Sequence, residues 1–442
     1  MAMMSMGRVV SWHAAQDPDL VSITCEGVSL TRRELDLRTN RLARAYEQLG
    51  VGQDDMVTVA LPNSIAFFEA AIAIWKLGAT LQPVSSKLPA AERRAIIELA
   101  NSKLVVGAPP DECEGRAVVD SGFVPDSALS DEPLPDRVPL HWKAPTSGGS
   151  TGRPKIILAQ QRGQTDPDKL RFKLSQLVAG PLFHNGPLAT SMNGLFGGGH
   201  LVVMPRFDAE DALRLIERHR IEYVMLVPTM MQRIWRLGPD VRARYDVSSL
   251  VRLLHLAAPC PVWLKEAFIE WLGPERVHEL YAGTEAQGLT TITGTEWLLH
   301  RGSVGKAALG TELKILDEHR RELPPGQVGE VFMKPSGGQG STYRYIGAEP
   351  KSHEGFESLG DMGHLDEDGY LYLADRQTDM ILCGGENVYP AEVEAAIDAH
   401  PSVRSSAVIG LPNEDLGNAI HAIVDIAEHE LSDDELLAHL AQ

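Results

Sequence analysis

Ten residues, Thr146-Ser147-Gly148-Gly149-Ser150-Thr151-Gly152-Arg153-Pro154-Lys155, put three glycines, four hydroxyls and two cations into one turn. Glycine permits positive φ and close backbone approach, so successive N–H groups can converge on an anion while the hydroxyls and Lys155 add donors. That composition suits a phosphate cradle; the plain alternative is a solvated Gly/Ser turn. It is not a Walker loop, because Pro154 precedes the lysine and the apolar run Ile156-Ile157-Leu158-Ala159 follows where that motif would open a helix. The context predicts strand, loop, strand.

Three more polar clusters interrupt apolar runs. Tyr281-Ala282-Gly283-Thr284-Glu285 offers an aromatic face for a base, a hydroxyl for a phosphate and a carboxylate for Mg²⁺, an ion that prefers oxygen ligands together with phosphate. A strand-ending turn with a solvated glutamate would look the same. In Leu359-Gly360-Asp361-Met362-Gly363 an acid between glycines could accept hydrogen bonds from ribose hydroxyls, or be a turn aspartate. Arg376, with Gly384-Gly385-Glu386-Asn387 just beyond, could serve the same site or an ordinary hairpin salt bridge.

The elements that must position these clusters alternate between helix and strand. Thr31-x-x-Glu34 is a capping-box signature, and Leu35, Leu42, Tyr46 and Leu49 recur at helical spacing before Gly50. Met56–Leu61, Leu81–Val84 and Leu104–Gly107 read as strands around a Ser64-capped helix and a helix over Pro89–Ala100, an α/β unit with a largely parallel sheet. Residues Pro109–Pro139, rich in proline and acids, read as a long surface connection. A second α/β layer follows, with a helix over Asp208–His219, a strand over Ile221–Val227, a helix from Pro228, strands over Val251–Leu256 and Val277–Tyr281, and the helix Trp263–Trp271 between them. From Gly302 the pattern changes to short hairpins, among them Glu312–Leu316 with Gly329–Met333 and a last one pairing Gly369–Leu373 with Met380–Leu382. The expected fold class is therefore α/β: a large N-terminal domain (1–377) of two α/β layers plus a small β subdomain, then a small, incomplete α+β C-terminal domain (378–442). In the latter, a helix over Pro390–Ala399, strands over Val403–Ile409 and Ile420–Ile426 and a Ser432-capped helix are expected.

Composition narrows the partners. The formal charge of -19 argues against nucleic acid or an anionic membrane surface, both of which reward clustered Lys and Arg. Cys25, Cys113, Cys260 and Cys383 are far apart, with no metal-ligand spacing, and read as reduced thiols of a cytoplasmic protein. No stretch has the length and apolarity of a signal core or membrane span.

Together and in this order, the four clusters resemble the ANL superfamily of adenylate-forming enzymes, in its acyl/aryl-CoA ligase (AMP-binding) branch. Further matches are Pro181-Leu182-Phe183-His184, Ala257-Ala258-Pro259, Gly302-Ser303-Val304-Gly305 and Gly384-Gly385-Glu386-Asn387-Val388-Tyr389-Pro390, so the resemblance spans essentially the whole chain. It implies an N-terminal domain that binds nucleotide and acid, and a C-terminal domain that rotates between making an acyl-adenylate from ATP and joining the acyl group to coenzyme A. By resemblance, Ser147, Gly148, Gly149, Ser150, Thr151, Gly152 and Lys155 cradle the β- and γ-phosphates. Ala258, Pro259, Ala282 and Gly283 line the nucleotide site. Tyr281 stacks on adenine, Thr284 touches the α-phosphate, Glu285 binds Mg²⁺, and Asp361 with Arg376 holds the ribose. His184 matches the gate between acyl pocket and CoA tunnel, unless it is a buried histidine satisfied by a backbone carbonyl. Thr378 falls at the hinge, and Gly384, Gly385 and Glu386 line the tunnel. The partners implied are a small-molecule carboxylic acid or its adenylate, ATP or acyl-AMP, CoA and Mg²⁺, with a homodimer left open.

Three departures matter. The family's adenylation lysine lies in a C-terminal P-x-[ST]-x-x-G-K segment that these 442 residues do not contain. The hinge, where Asp or Lys is usual, carries Thr378, and Gly148 stands where a hydroxyl residue is usual. The thioester-forming half, which needs His184, the Gly384 loop and the adenylate pocket, retains its parts. The expectation is an enzyme that takes acyl-AMP and CoA to acyl-CoA and AMP better than it makes acyl-AMP; an ordinary two-step ligase and a non-catalytic adenylate binder are the alternatives. For the acid, His184-Asn185 stands where amino-acid-activating relatives carry an aspartate, which disfavours an amino acid. Met192–Gly199 and Met225–Met231 suggest a roomy apolar pocket for a bulky, even polycyclic, carboxylate, unless the glycines merely end a helix.

Overall fold

The computed structural model describes residues 3–147, 154–170, 173–376, 381–383, 386–388, 390–400, 402–413, 417–426 and 431–440. Its contacts divide the chain into two units. One is formed by Met1–Leu256 with Thr284–Ala286 and Gly340–Pro350, the other by Ala257–Gly283, Gln287–Gln339 and Lys351–Gln442.

In the first unit the capping box forms as its spacing predicts: Thr31 accepts from the Glu34 amide, and the Glu34 carboxylate accepts from the Thr31 amide at 2.8 Å, starting the helix Arg32–Gln48. Ser64 caps Ile65–Lys76, a helix that is apolar almost all round and consequently buried. At its end Trp75 packs 5.6 Å from Phe196 and 6.2 Å from Trp142, ring centroid to centroid. Burying such side chains contributes on the order of 1.5–3 kcal/mol each. The strands Thr80–Pro83, Met56–Val59, Leu104–Val106 and Ala117–Val119 lie in that order in one parallel sheet. The last of these corrects the reading of Pro109–Pro139 as connection only. Ala117–Val119 is too short to show a period of its own, and its pairing with Leu104–Val106 makes it a strand.

A second sheet of this unit runs Val28–Thr31, Val21–Cys25, Leu201–Val203, Gln176–Val178, Tyr223–Leu226, Arg252–Leu256, parallel except for the first hairpin. The helix Asn185–Phe196 packs on it so closely that a Cβ on Gly194 would lie 2.4 Å from the Gln176 side chain. A third, small sheet joins Thr146–Ser147, Lys155–Ala159 and Tyr343–Ile346, all antiparallel. It realises the strand, loop, strand expectation and adds a distant third strand.

The second unit opens with Val277–Ala282, Leu289–Thr293 and Lys306–Ala307, antiparallel, and the helix Val262–Leu272. Its hairpins build a sheet in the order Lys351–His353, Phe356–Ser358, Gly329–Lys334, Asp361–Leu365, Leu371–Arg376, with Glu312–Leu316 also on Gly329–Lys334. Gly305, at φ +99°, is needed where it stands: a Cβ there would sit 2.1 Å from the Thr291 carbonyl oxygen. The expected last hairpin does not form. Leu371–Arg376 pairs with Asp361–Leu365, whereas Ile381–Cys383 belongs to a separate sheet with Glu386–Val388, Gly417–Ile426 and Val403–Asn413. Two apolar runs flanking a polar bracket looked like partners, but each has antiparallel partners elsewhere. The helix Pro390–Asp398 packs against Val403–Asn413, and Ser432 caps Asp433–Leu440. The boundary expected at 377/378 lies outside the described residues. No described helix is long and apolar enough to cross a membrane.

Candidate active site

Gly148, Gly149, Ser150, Thr151 and Gly152 lie outside the described residues, as does the side chain of Ser147. Lys155, at the loop's exit, is described. Its ammonium lies 3.7 Å from Glu285 Oε1, 3.1 Å from the Tyr345 hydroxyl and 4.1 Å from the Tyr345 ring centroid. Tyr345 donates to Glu285 Oε1 at 2.6 Å. Glu285 is only 5% exposed, and a buried carboxylate without such partners would be costly. Burial, with the Glu285 charge, raises the Tyr345 phenol well above its ordinary value, so it remains a donor at neutral pH. Within the first unit the fold thus joins Lys155 to Glu285, two residues the sequence singled out, through a tyrosine it did not. Thr284, next in chain, is half-buried.

In the second unit the Tyr281 hydroxyl donates to Asp361 Oδ2 at 2.6 Å, joining the residues expected at base and ribose. Asp361 is opposite Arg376 in the strand register, though the Arg376 side chain is outside the described residues. Ala258 and Pro259 are exposed, and Ala282 and Gly283 are half-buried at the end of the Tyr281 strand. Thr378, Gly384 and Gly385 are outside the described residues. Glu386 begins a short strand, and its side chain is not described.

His184 occupies the N-cap position of Asn185–Phe196 without making a side-chain cap bond. Its ring lies 4.3 Å from that of Phe183 and stays accessible to solvent, although enough protein surrounds it to lower its pKa by desolvation. The alternative of a buried histidine satisfied by a carbonyl does not describe it. Of the apolar stretches expected near the acid, Met192 and Phe196 join Met6, Trp142 and the polar Gln161, Arg162 and Gln164 around a cavity of about 420 Å³. Gly197–Gly199 do end the helix, with Gly198 at φ +79°.

A second residue escaped the sequence reading. Lys143, three residues before the loop, donates to the Asn185 carboxamide and lies 4.4 Å from the Trp142 ring centroid. No carboxylate pairs with it among the described residues, the first turn of a helix disfavours a cation, and burial pushes its pKa down to about 7. In the unfolded chain lysine titrates near about 10.4. Between about pH 7 and about pH 10 the unfolded chain therefore holds a proton that the folded chain lacks, so stability falls as pH falls through that window. Lys143→Met is expected to stabilise the protein by about 1–3 kcal/mol at pH 7, the linkage gain exceeding the loss of the Asn185 partner, with the gain shrinking toward pH 10. Thermal melts across that range check it; a gain that does not change with pH contradicts it.

A single carboxylate beside a lysine suits Mg²⁺ held mostly by phosphate oxygens. Among the described residues no three His, Cys, Asp or Glu side chains cluster into an all-protein metal site.

The chain matches the family of AMP-binding enzymes over residues 10–343. It is 31% identical to a feruloyl-CoA synthase of an Amycolatopsis species, over 97% of this chain and 91% of that protein. It is 30% identical to a fatty acid–[acyl-carrier-protein] ligase of Streptomyces coeruleorubidus, over 94% and 86%. Its fold is like that of o-succinylbenzoate CoA synthetase from Bacillus subtilis in complex with an acyl-adenylate intermediate, with a TM-score of 0.86 at 24% identity, covering 100% of this chain and 92% of that one. The chain thus belongs to the AMP-binding enzyme family, in the acyl/aryl-CoA ligase branch of the adenylate-forming ANL superfamily.

Proposed function

We propose that the chain makes the CoA thioester of a bulky apolar carboxylic acid by way of its acyl-adenylate, and that these 442 residues perform the second half-reaction, acyl-AMP plus CoA to acyl-CoA plus AMP, better than the first. The observation that carries the asymmetry is the distribution of lysines: none follows Lys351. Within these 442 residues, then, no lysine follows Lys351 to take the role that the family resemblance gives to a C-terminal lysine in carboxylate attack on the α-phosphate. Two observations support the second step: His184 is accessible at the head of its helix, and Tyr281 is bonded to Asp361. A thiol needs only modest activation to attack a mixed anhydride.

In this reading Lys155 and its loop take the β- and γ-phosphates of ATP, Thr284 the α-phosphate and Glu285 the Mg²⁺. Tyr281 with Ala258, Pro259, Ala282 and Gly283 receives the adenine, and Asp361 with Arg376 the ribose. Gly384, Gly385 and Glu386 line the path of CoA, and Thr378 is the hinge between the 1–377 and 378–442 segments. The cavity beside Met192 and Phe196 supports a bulky acid, its volume falling in the range of small-molecule sites, roughly 300–1,000 Å³. The reaction takes place in the cytoplasm on free small molecules.

Gly384→Trp tests the assignment of the CoA path. It is expected to abolish thioester formation from acyl-AMP and CoA while leaving acyl-AMP affinity within about twofold, since glycine there admits a thin ligand and an indole does not. Equal loss of binding and turnover would count against the assignment. A carrier-protein thiol is the second acceptor to include, because one relative is named for it.

A further inference from the structure

Tyr345 touches both Lys155 and Glu285, yet belongs to none of the four clusters. Its strand, Tyr343–Ile346, pairs with Lys155–Ala159, which carries Lys155, and its hydroxyl reaches the Glu285 carboxylate. One carboxylate oxygen, Glu285 Oε1, thereby receives the phenol O–H at 2.6 Å with the Lys155 ammonium 3.7 Å away, and that ammonium rests over the phenol ring. Oε1 is thus committed to Tyr345, which leaves Oε2 as the oxygen for a metal ion.

The two positive charges of Mg²⁺ at Glu285 would face the Lys155 ammonium at a few ångströms, where repulsion between cations is strong even at the effective dielectric near a protein surface. The ammonium must then leave the carboxylate. Its side chain springs from the end of the glycine-rich loop, to which the reading above gives the phosphates. The phenol need not move: a neutral donor on Oε1 is compatible with a metal on Oε2, and it holds the carboxylate in one orientation while the lysine departs. Without the hydroxyl, Glu285 keeps its charge but loses the group that fixes its direction.

We propose that Tyr345 is a positioning residue that holds Lys155 on Glu285 in the nucleotide-free protein and keeps Glu285 aimed when Mg²⁺ and a triphosphate replace the lysine, so that metal and triphosphate binding are coupled through it. The inference rests on the roles given to Lys155 and Glu285 above.

Calorimetric titration of the whole protein with ATP, with and without Mg²⁺, tests it without reference to turnover. In the wild type Mg²⁺ is expected to tighten ATP binding. Tyr345→Phe keeps the ring under the ammonium and removes only the hydroxyl, and it is expected to erode that tightening by roughly 10- to 100-fold, the weight of a hydrogen bond to a buried charge, while metal-free ATP affinity is unchanged or improved. Glu285→Gln removes the metal's carboxylate, and adding Tyr345→Phe to it is expected to change the Mg²⁺ effect no further. Tyr345→Phe that weakens ATP equally with and without metal would reduce Tyr345 to a structural support, and an intact Mg²⁺ effect would overturn the proposal outright. If wild-type protein binds no ATP under either condition, the phosphate-site assignment itself fails, an outcome distinct from failure of the coupling. A matching melting temperature for Tyr345→Phe and wild type confirms that both are folded during the titrations.

Discussion

Lys265→Met is expected to lower stability by about 3–5 kcal/mol. Lys265, on the helix Val262–Leu272, donates to Glu279 on the strand Val277–Ala282, and its ammonium lies 4.9 Å from the Trp297 ring centroid. The lysine is 0% exposed and the glutamate 6%. Burial lowers the pKa of the lysine and raises that of the carboxyl, while each partner's charge opposes the shift in the other. Removing the lysine takes away the cation that offsets desolvation of the Glu279 carboxyl and puts an apolar group in its place. Lys265→Met combined with Glu279→Leu is expected to recover most of the loss, because a buried pair replaced by apolar side chains of similar volume is often neutral. Urea unfolding of the two single variants and the double variant measures the coupling; a single substitution within about 0.5 kcal/mol of wild type would contradict it. Glu279 and Tyr281 are two residues apart and share a face of their strand, so the single variant should also loosen the Tyr281–Asp361 bond and, on the role proposed for Tyr281, weaken adenylate binding.

The same physics decides what could be read in advance. The helices Arg32–Gln48, Ile65–Lys76 and Ala209–His219 announce themselves through capping side chains and helical spacing. Ala117–Val119 does not, since three residues carry no period. The glycine-rich composition of 146–155 and the Tyr281 and Asp361 clusters stand out in the sequence because each gathers unusual polar residues beside an apolar strand. Tyr345 is not legible: a tyrosine in a short strand reads as β-propensity, and its partner Lys155 is 190 residues away in sequence. Lys143 is hidden for a related reason. A lysine between Trp142 and Ala144 reads as the solvent-facing position of a strand, whereas the fold buries it and bonds it to Asn185, 42 residues away. The mispaired hairpin around 375–379 shows the limit from the other side, because pairing choice depends on strands that local sequence does not mention.

The second large effect concerns the chemistry itself. Acyl-adenylate formation by this polypeptide is expected to be slower by roughly 10²- to 10³-fold than in a ligase that places a cation between carboxylate and α-phosphate, the usual weight of one preorganised charge in the transition state. On the roles proposed above, thiol attack on acyl-AMP should carry no such handicap, because the residues given to it lie before and around Gly384. Restoring a cation should act on one step only. A C-terminal segment bearing the P-x-[ST]-x-x-G-K motif, appended to the chain, is expected to raise pyrophosphate release and leave the rate from acyl-AMP unchanged.

The most direct measurement pairs the two half-reactions on one preparation of the 442-residue protein. One vessel holds a bulky apolar acid, ATP and Mg²⁺ and is followed for pyrophosphate; the other holds the corresponding synthetic acyl-AMP with CoA and is followed for AMP and thioester. Rapid thioester formation in the second vessel, with pyrophosphate release slower by two orders of magnitude or more in the first, is the predicted result. Comparable rates in both vessels, or no thioester in the second despite measurable acyl-AMP binding, would contradict it.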